Sequence, residues 1–328
     1  MINQETGSRD GHAPMSIIIP TYRRERVLVD TIRHLAGLRP AAAEILVVDQ
    51  TPQHEPQVER ALNSMERSGT IRRIRLPRPS ITRAMNVGLK QAIEDTVLFL
   101  DDDIVPGKTL VAAHAKAHSE GKYSIVAGQV LQPGEEPLAQ ASDEGHFRFC
   151  SSVRQPVSEL MAGNFSIRRQ LALALGGFDE NFVRVAYRFE AEFSERALAA
   201  GEQILFEPEA SIRHLRVSTG GTRSYGTHGT TLKPAHTVGA YYYLLRSRTT
   251  RHSLLKILSR PFVGIRSRHH LGRPWWIPVT LVAELCGLAW AVRLAMRGPR
   301  LLEDTVCAVA NDAAASKIGH RSMVKTPE

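Results

Sequence analysis

Thr96-Val97-Leu98-Phe99-Leu100-Asp101-Asp102-Asp103 is the stretch that decides the fold. An unbroken apolar run of this length reads as a strand buried on both faces, as in a parallel sheet covered by helices. It stops in three adjacent carboxylates, which repel one another unless a cation or Arg/Lys neighbours offset them. Alternate residues at a strand end point the same way, so Asp101 and Asp103 are placed to hold Mg2+ or Mn2+ together. The competing reading is an acidic turn that caps a following helix, with Asp103 near its N-terminus.

Upstream, Ser16-Ile17-Ile18-Ile19-Pro20 and Glu44-Ile45-Leu46-Val47-Val48-Asp49 read as two more buried strands. Residues 70–76 make another. Helical spacing of apolar residues falls between them at 24–38, 56–67 and 82–94. Strands alternating with helices predict βαβ units and an open, mostly parallel α/β sheet. In such sheets ligands bind beyond the carboxyl ends of the strands. Pro20-Thr21, Asp49 and the triple carboxylate all fall at such ends, and that convergence is the first sign of a site.

From 123 to 215 the pattern becomes mixed, with strands near 123–131 and 160–167, a short helix at 168–175 and a helix over 187–200. In that last helix Phe189, Phe193, Ala197 and Ala200 form the apolar stripe, which leaves Glu190 and Glu192 off the core. Acidic residues in a first turn favour the helix dipole and commonly just face water. The alternative is that Glu190 is a general base aimed into the cleft. His214 ends a short strand, where a lone His is more often structural than a ligand. Asn164 follows Gly163, which permits close backbone approach.

The order and spacing of these motifs resemble those of the family-two glycosyltransferases of the GT-A fold, over roughly residues 15–215. The run 17–22 is similar to their opening strand and nucleotide-contacting turn, which implies donor contacts from Pro20, Thr21, Tyr22 and Arg24. Asp49 resembles the acid near the base and ribose. Arg83 and Asn86, in Arg83-Ala84-Met85-Asn86-Val87-Gly88, resemble a helix start near the donor diphosphate. Leu100-Asp101-Asp102-Asp103 resembles the Asp-x-Asp motif, which implies a metal on Asp101, Asp103 and His214 and a donor beside Asp101 and Asp102. Asn164 belongs to the stretch shaping the sugar and acceptor sites.

Two positions depart from the family pattern. Asp49 runs into Gln50-Thr51-Pro52 rather than a second acid and a Gly/Ser turn. Glu190 stands where the family carries a catalytic Asp, so Glu190 and Glu192 are both candidates for the base. The resemblance implies a metal-assisted single displacement from a nucleotide sugar, with inversion, onto a lipid-linked or cell-surface glycan acceptor.

The formal charge of +9 does not signal nucleic acid once it is divided by position. Residues 1–215 carry a net −3 and residues 216–328 a net +12. Between 216 and 300 the only acid is Glu284, against 14 Lys and Arg. The run 275–296, WWIPVTLVAELCGLAWAVRLAM, is apolar apart from Glu284 and Arg293, and paired tryptophans flank it. Basic residues beside such a helix favour an anionic membrane surface as partner over nucleic acid. The competing reading is a soluble helical subdomain packed on the sheet.

The expected organisation is a disordered tail at 1–14, a GT-A domain at 15–217 and a flexible loop at 218–236. A helical membrane-associated extension follows at 237–304, then a second disordered tail at 305–328. The N-terminus has no apolar core of signal-peptide length, and the three cysteines form no framework. The expectation is a cytoplasmic protein, peripheral on the inner face of the cell membrane. Two rival functions stand beside this one: a nucleotidyltransferase, which would want a Gly-rich basic loop after the first strand, and a non-enzymatic sugar-nucleotide- or lipid-binding protein.

Overall fold

The computed structural model describes residues 11–139, 147–226, 233–247, 250–266 and 268–303. The chain runs β1 (His12–Thr21), α1 (Arg26–Ala36), β2 (Ala41–Asp49), α2 (Pro56–Arg67), β3 (Arg72–Arg75), α3 (Ile81–Gln91) and β4 (Thr96–Leu100). It continues through β5 (Ile104–Pro106), α4 (Leu110–Ser119), β6 (Ile125–Leu131), β7 (Gln155–Val157), β8 (Asn164–Arg168), α5 (Arg169–Ala174), α6 (Phe189–Ala199) and β9 (Ile204–His214). A short 3-10 turn, Gly221–Tyr225, precedes α7 (Thr237–Arg246), α8 (Thr250–Ile265), α9 (Arg268–Gly272) and α10 (Trp276–Met296).

The strands form one nine-stranded sheet in the order β3-β2-β1-β4-β8-β6-β9-β5, with β7 also on β9. The β3-β2-β1-β4 half is parallel, as the buried apolar runs predict, and β6-β9 is parallel too. β8 enters antiparallel between β4 and β6. Helices flank the sheet, and every residue of β4 is buried.

The structure differs from the sequence expectation at the first strand. β1 opens at His12, paired with Ala41, with Ala13 and Met15 buried, so residues 12–14 are strand and not tail. The proposed tail over 1–10 and the tail at 305–328 lie outside the described residues, as do positions 227–232 of the proposed loop. The triple carboxylate does not cap a helix. It leads into β5, which pairs antiparallel with β9, Ile104 opposite His214. That pairing brings His214 to Asp103 across more than a hundred residues of chain.

An aromatic cluster fixes α6 against the end of β4. Phe99 stacks on Phe165 with ring centres 4.9 Å apart, and Phe178 lies 4.7 Å from Phe193 of α6 and edge-on to Phe99 at 5.3 Å. Such pairs contribute about 0.5–1.5 kcal/mol each beyond their buried area. The helix carrying Glu190 is therefore held rigidly beside the strand that ends in Asp101.

The C-terminal helices pack on this domain. Tyr241 and Tyr242 of α7 are fully buried, and the Tyr242 hydroxyl donates to Asp179 at 2.6 Å. The Asp179 carboxylate also accepts from the Arg300 amide at 2.9 Å. α10 crosses α7 closely because Gly287 has no side chain; a Cβ there would stand 2.0 Å from Thr237 Oγ1. α10 has 21 residues and is long and apolar enough to cross a membrane, but only by length and composition. Glu284 within it is buried, 3.3 Å from Arg260 of α8. The outer face of α8 is different: Leu254, Leu255, Leu258, Phe262 and Val263 are each between 56% and 69% exposed.

Candidate active site

Asp101, Asp103 and His214 offer three ligand atoms that all lie within 4.8 Å of one another. His214 Nε2 is 3.1 Å from Asp103 Oδ1 and 3.8 Å from Asp101 Oδ2. Its Nδ1 meets Gln132 Oε1 at 3.1 Å, an acceptor for the Nδ1 proton, so that loss of the Nε2 proton, which otherwise faces Asp103, would present the Nε2 lone pair to a metal. Two carboxylates and an imidazole suit a hard to borderline divalent ion such as Mn2+ or Mg2+, so these residues fit the metal their sequence pattern implies. A side chain at Gly163 would put its Cβ 2.3 Å from Asp101 Oδ2, so glycine there lets the Asp101 carboxylate keep its position.

Arg24 neutralises the rest of the cluster. Its guanidinium reaches Asp102 Oδ1 at 3.0 Å and Asp103 Oδ2 at 3.2 Å while itself buried. Burial nevertheless pushes the Asp102 carboxyl up to about 7, Arg24 opposing only in part. Burial would raise Asp103 as well, but His214 and Arg24 outweigh it and hold that carboxyl below its ordinary value.

A cavity of about 200 Å3 lies over the triad. Pro20, Thr21, Tyr22 and Arg24 line it from the end of β1, as their position in sequence predicts. Its roof is the segment 216–225. The Gly221 amide donates to Tyr22 O at 2.7 Å, and Arg24 Nη1 donates to Val217 O at 3.2 Å and to Thr219 O. Three further arginines face the cavity, namely Arg184, Arg216 and Arg223. Arg184 and Arg216 have positive φ, 63° and 50°, as do Ala186 and Arg188 nearby. Non-glycine residues in that region are strained by on the order of 1–3 kcal/mol each and gather at functional sites.

Four residues expected at the donor are not among those lining this cavity. Asp49 is buried at the end of β2, where it accepts from the Thr51 amide at 2.9 Å and pairs with His54 Nε2 at 3.0 Å. Gln50, its neighbour, lines the cavity instead. Asn86 ties α3 to the 176–180 turn, donating to Phe178 O and accepting from Phe178 N, both at 2.8 Å. Asn164 staples β8 to its neighbours through Gln129 O, Ala210 O and His114 Nε2. Arg83 points to solvent from α3 and is not among the residues lining the cavity. The arginines that face the cavity were missed because Arg184 carries no sequence signal. Arg216 and Arg223 sit in the Gly/Thr-rich run after His214, and that run is the one cue for them.

The two acidic candidates on α6 separate clearly. Glu192 is bound at both oxygens by Arg196, at 3.0 and 2.8 Å, and Arg196 in turn donates to Gly177 O at 2.9 Å. Glu190 has a buried Oε2 with no hydrogen-bond partner among the described residues. Burial and the nearby Asp101 and Glu159 charges push its carboxyl up to about 7, partly opposed by Arg188. A carboxyl so raised changes its protonation near neutral pH.

The profile of the family described as Glycosyl transferase family 2 matches residues 16–191. Among solved structures, the chain is similar to GalNAc-T7 with UDP, GalNAc and Mn2+, at TM-score 0.55 and 15% identity, over 73% of this chain and 51% of that one. The chain therefore spans about half the length of that relative. It is also similar to the mannosyltransferase PcManGT from Pyrobaculum calidifontis with GDP-Man and Mn2+, at TM-score 0.52 and 15% identity, over 94% and 81% of the two chains. A third likeness is S. aureus TarS with UDP-GlcNAc, at TM-score 0.55 and 15% identity, over 85% and 81%. No curated protein sequence matches significantly.

Proposed function

The chain belongs to glycosyl transferase family 2, and from that premise we propose that it moves a sugar from a nucleoside-diphosphate donor to an acceptor hydroxyl, inverting the anomeric carbon. The observation that carries this reading is a triad able to bind a metal, together with the buried Glu190 Oε2, which has no hydrogen-bond partner among the described residues and lies close enough to Asp101 to feel its charge. The UDP, GDP-Man and UDP-GlcNAc bound to the structural relatives, two of them with Mn2+, support the donor class.

Asp101, Asp103 and His214 would hold a divalent ion, which supplies positive charge to the diphosphate as it departs. Arg184, Arg216 and Arg223 add fixed cations around the same space, which favour the developing charge without reorganising. Tyr22 and Gln50 offer a ring and an amide to the nucleoside. Glu190 accepts the proton of the acceptor hydroxyl as its oxygen bonds to the anomeric carbon. The bond from that carbon to the diphosphate oxygen breaks, and its electron pair leaves with the nucleoside diphosphate. A single in-line displacement needs no protein nucleophile.

At about 200 Å3 the cavity is smaller than the ~300–1,000 Å3 usual for ligand sites. Donor entry therefore requires the roof segment 216–225, held to Tyr22 through Gly221, to lift, and its return excludes water from the reacting atoms.

The exposed apolar face of α8, with Lys256, Arg266 and Arg273 exposed nearby, supports a second part of the proposal. The extension lies on an anionic membrane surface at the cytoplasmic side, where a lipid-linked acceptor would be met. Product stereochemistry tests the displacement. Proton NMR of the first product formed should show the anomer opposite to the donor's, and retained configuration would rule out the single-step mechanism.

A further inference from the structure

A second concavity, of about 830 Å3, lies against α6 and shares no lining residue with the donor cavity. Its walls come from α6, α7 and α8, and its chemistry from Glu159, Tyr187, Arg188, Glu195, Tyr243 and Lys256. Ala191, Glu195 and Leu198 of α6 face it, spaced four and three residues apart along one side of the helix. Glu190 sits in the first turn of α6, next to Ala191 and two residues from Arg188, both of which line the groove. A group lodged in this groove would thus lie against the turn of α6 that carries Glu190.

We propose that this groove is the acceptor site and that its occupant is a glycolipid, with an uncharged sugar head against α6 and α7 and an apolar chain running out along α8. The inference rests on the glycosyl-transfer reading above.

The lining fits a sugar. Carboxylates accept from hydroxyls, and Glu159 and Glu195 present two of them. Tyr187 is 46% exposed, with Arg188 stacked 5.2 Å from its ring centre, so its remaining face is open to the apolar side of a pyranose. Tyr243 donates its hydroxyl to Glu195, which fixes both across the groove. Lys and Arg do not outnumber Asp and Glu in the lining: Arg188, Lys256 and Arg260 are matched by Glu159, Glu195 and Glu284, and Arg260 is paired with Glu284. A phosphate head would call for an excess of cations, which the described residues of the lining do not supply.

The chain position follows from α8. Lys256, Ser259, Arg260 and Val263 line the groove, while Leu255, Leu258 and Phe262 lie on the adjoining face, 66%, 69% and 66% exposed. The apolar surface is therefore continuous with the rim of the groove. Covering it with a bound alkyl chain removes apolar surface of both from water.

Calorimetry on the full chain, without donor or metal, tests this directly. The probes are a panel of octyl glycosides below their micellar concentrations, the matching methyl glycosides, and octyl phosphate. At least one octyl glycoside should bind ten-fold or more tightly than its methyl counterpart and than octyl phosphate. Glu159→Gln and Tyr187→Ala should weaken that glycoside ten-fold or more. Leu258→Glu with Phe262→Glu, both at exposed positions, should remove only the advantage of the octyl chain. The proposal is overturned if no glycoside binds, if octyl phosphate binds as tightly, or if the groove variants leave binding unchanged. Donor turnover is measured separately, so a failure of the glycosyl-transfer reading would show there and not in this titration.

Discussion

Glu192 and Arg196 lie one helical turn apart on α6 and meet through two hydrogen bonds, at 3.0 and 2.8 Å. Arg196 then carries the pair onto the backbone of the 175–177 turn. Glu192 is thereby engaged as an anchor for the helix, and on the proposed mechanism Glu190, two residues earlier, is the base. Glu190→Gln should lower kcat by ~10²–10⁴-fold with an unchanged melting temperature. Glu192→Gln should do the reverse, losing about 1–3 kcal/mol of stability as Arg196 is left short of its partner, with modest change in kcat. A dead Glu192→Gln beside an active Glu190→Gln would reverse the assignment.

The pH profile follows from the same carboxyl. A base must be deprotonated to act, and burial and its acidic neighbours push Glu190 up to about 7. Turnover at saturating substrate should therefore rise with pH through about 7 and level above it. The residual activity of Glu190→Gln should lack that limb. A limb unchanged in the variant would assign it to another group.

Much of this was legible in the amino-acid sequence. The runs 17–19, 45–48 and 97–100 announce strands buried on both faces, because only apolar residues occupy them. The triple carboxylate after the last one marks the site. The His214 contact was less legible, since it depends on β5, a three-residue strand with no periodicity of its own, pairing with β9. Asn86, Asn164 and Asp49 were assigned to the donor because the motifs that carry them resemble those of family-two glycosyltransferases. A buried side-chain amide also serves to join elements, and that is what the hydrogen bonds of these two asparagines do. Arg184 was out of reach, for its position depends on left-handed backbone at 184, 186 and 188 that no local residue type announces.

Two buried histidines make acid stability a test of the core. His114 and His118 join through Ser166 Oγ, at 2.8 Å from His114 Nδ1 and 2.8 Å from His118 Nε2. Burial holds them neutral, with pKa values lowered to about 4 and about 3. The unfolded chain takes up a proton at each below about pH 6.5, so their contribution is complete above that pH and is lost as pH falls toward 4. Each adds a slope of up to about 1.4 kcal/mol per pH unit. His54 acts in the opposite sense, raised by its bond to Asp49, so the informative quantity is a difference in which it cancels. Urea unfolding between pH 7.5 and 5 should give a shallower dependence for His118→Gln than for wild type. Equal slopes would mean that His118 is already charged or exposed.

Membrane association is tested by substitution. Truncation before α7 is uninformative, because it would delete the buried Tyr241 and Tyr242, uncover Phe182 beneath Tyr242 and strip Asp179 of its hydroxyl donor. Leu255→Glu with Leu258→Glu leaves those contacts intact. The intact chain should sediment with anionic vesicles, less so as salt is added, each cation near the surface contributing about 1 kcal/mol. The double variant should stay in the supernatant. A wild-type chain that ignores vesicles at low salt would refute the membrane reading.

The most direct test of the whole account is nucleoside-diphosphate release from a panel of UDP- and GDP-sugars, for wild type and Asp103→Asn. At least one donor should be turned over with Mn2+ present. That turnover should vanish in EDTA, return when Mn2+ is restored, and be absent in a folded Asp103→Asn protein. Full turnover in EDTA, or an Asp103→Asn enzyme as active as wild type, would contradict the assignment of a metal-dependent glycosyltransferase to this site.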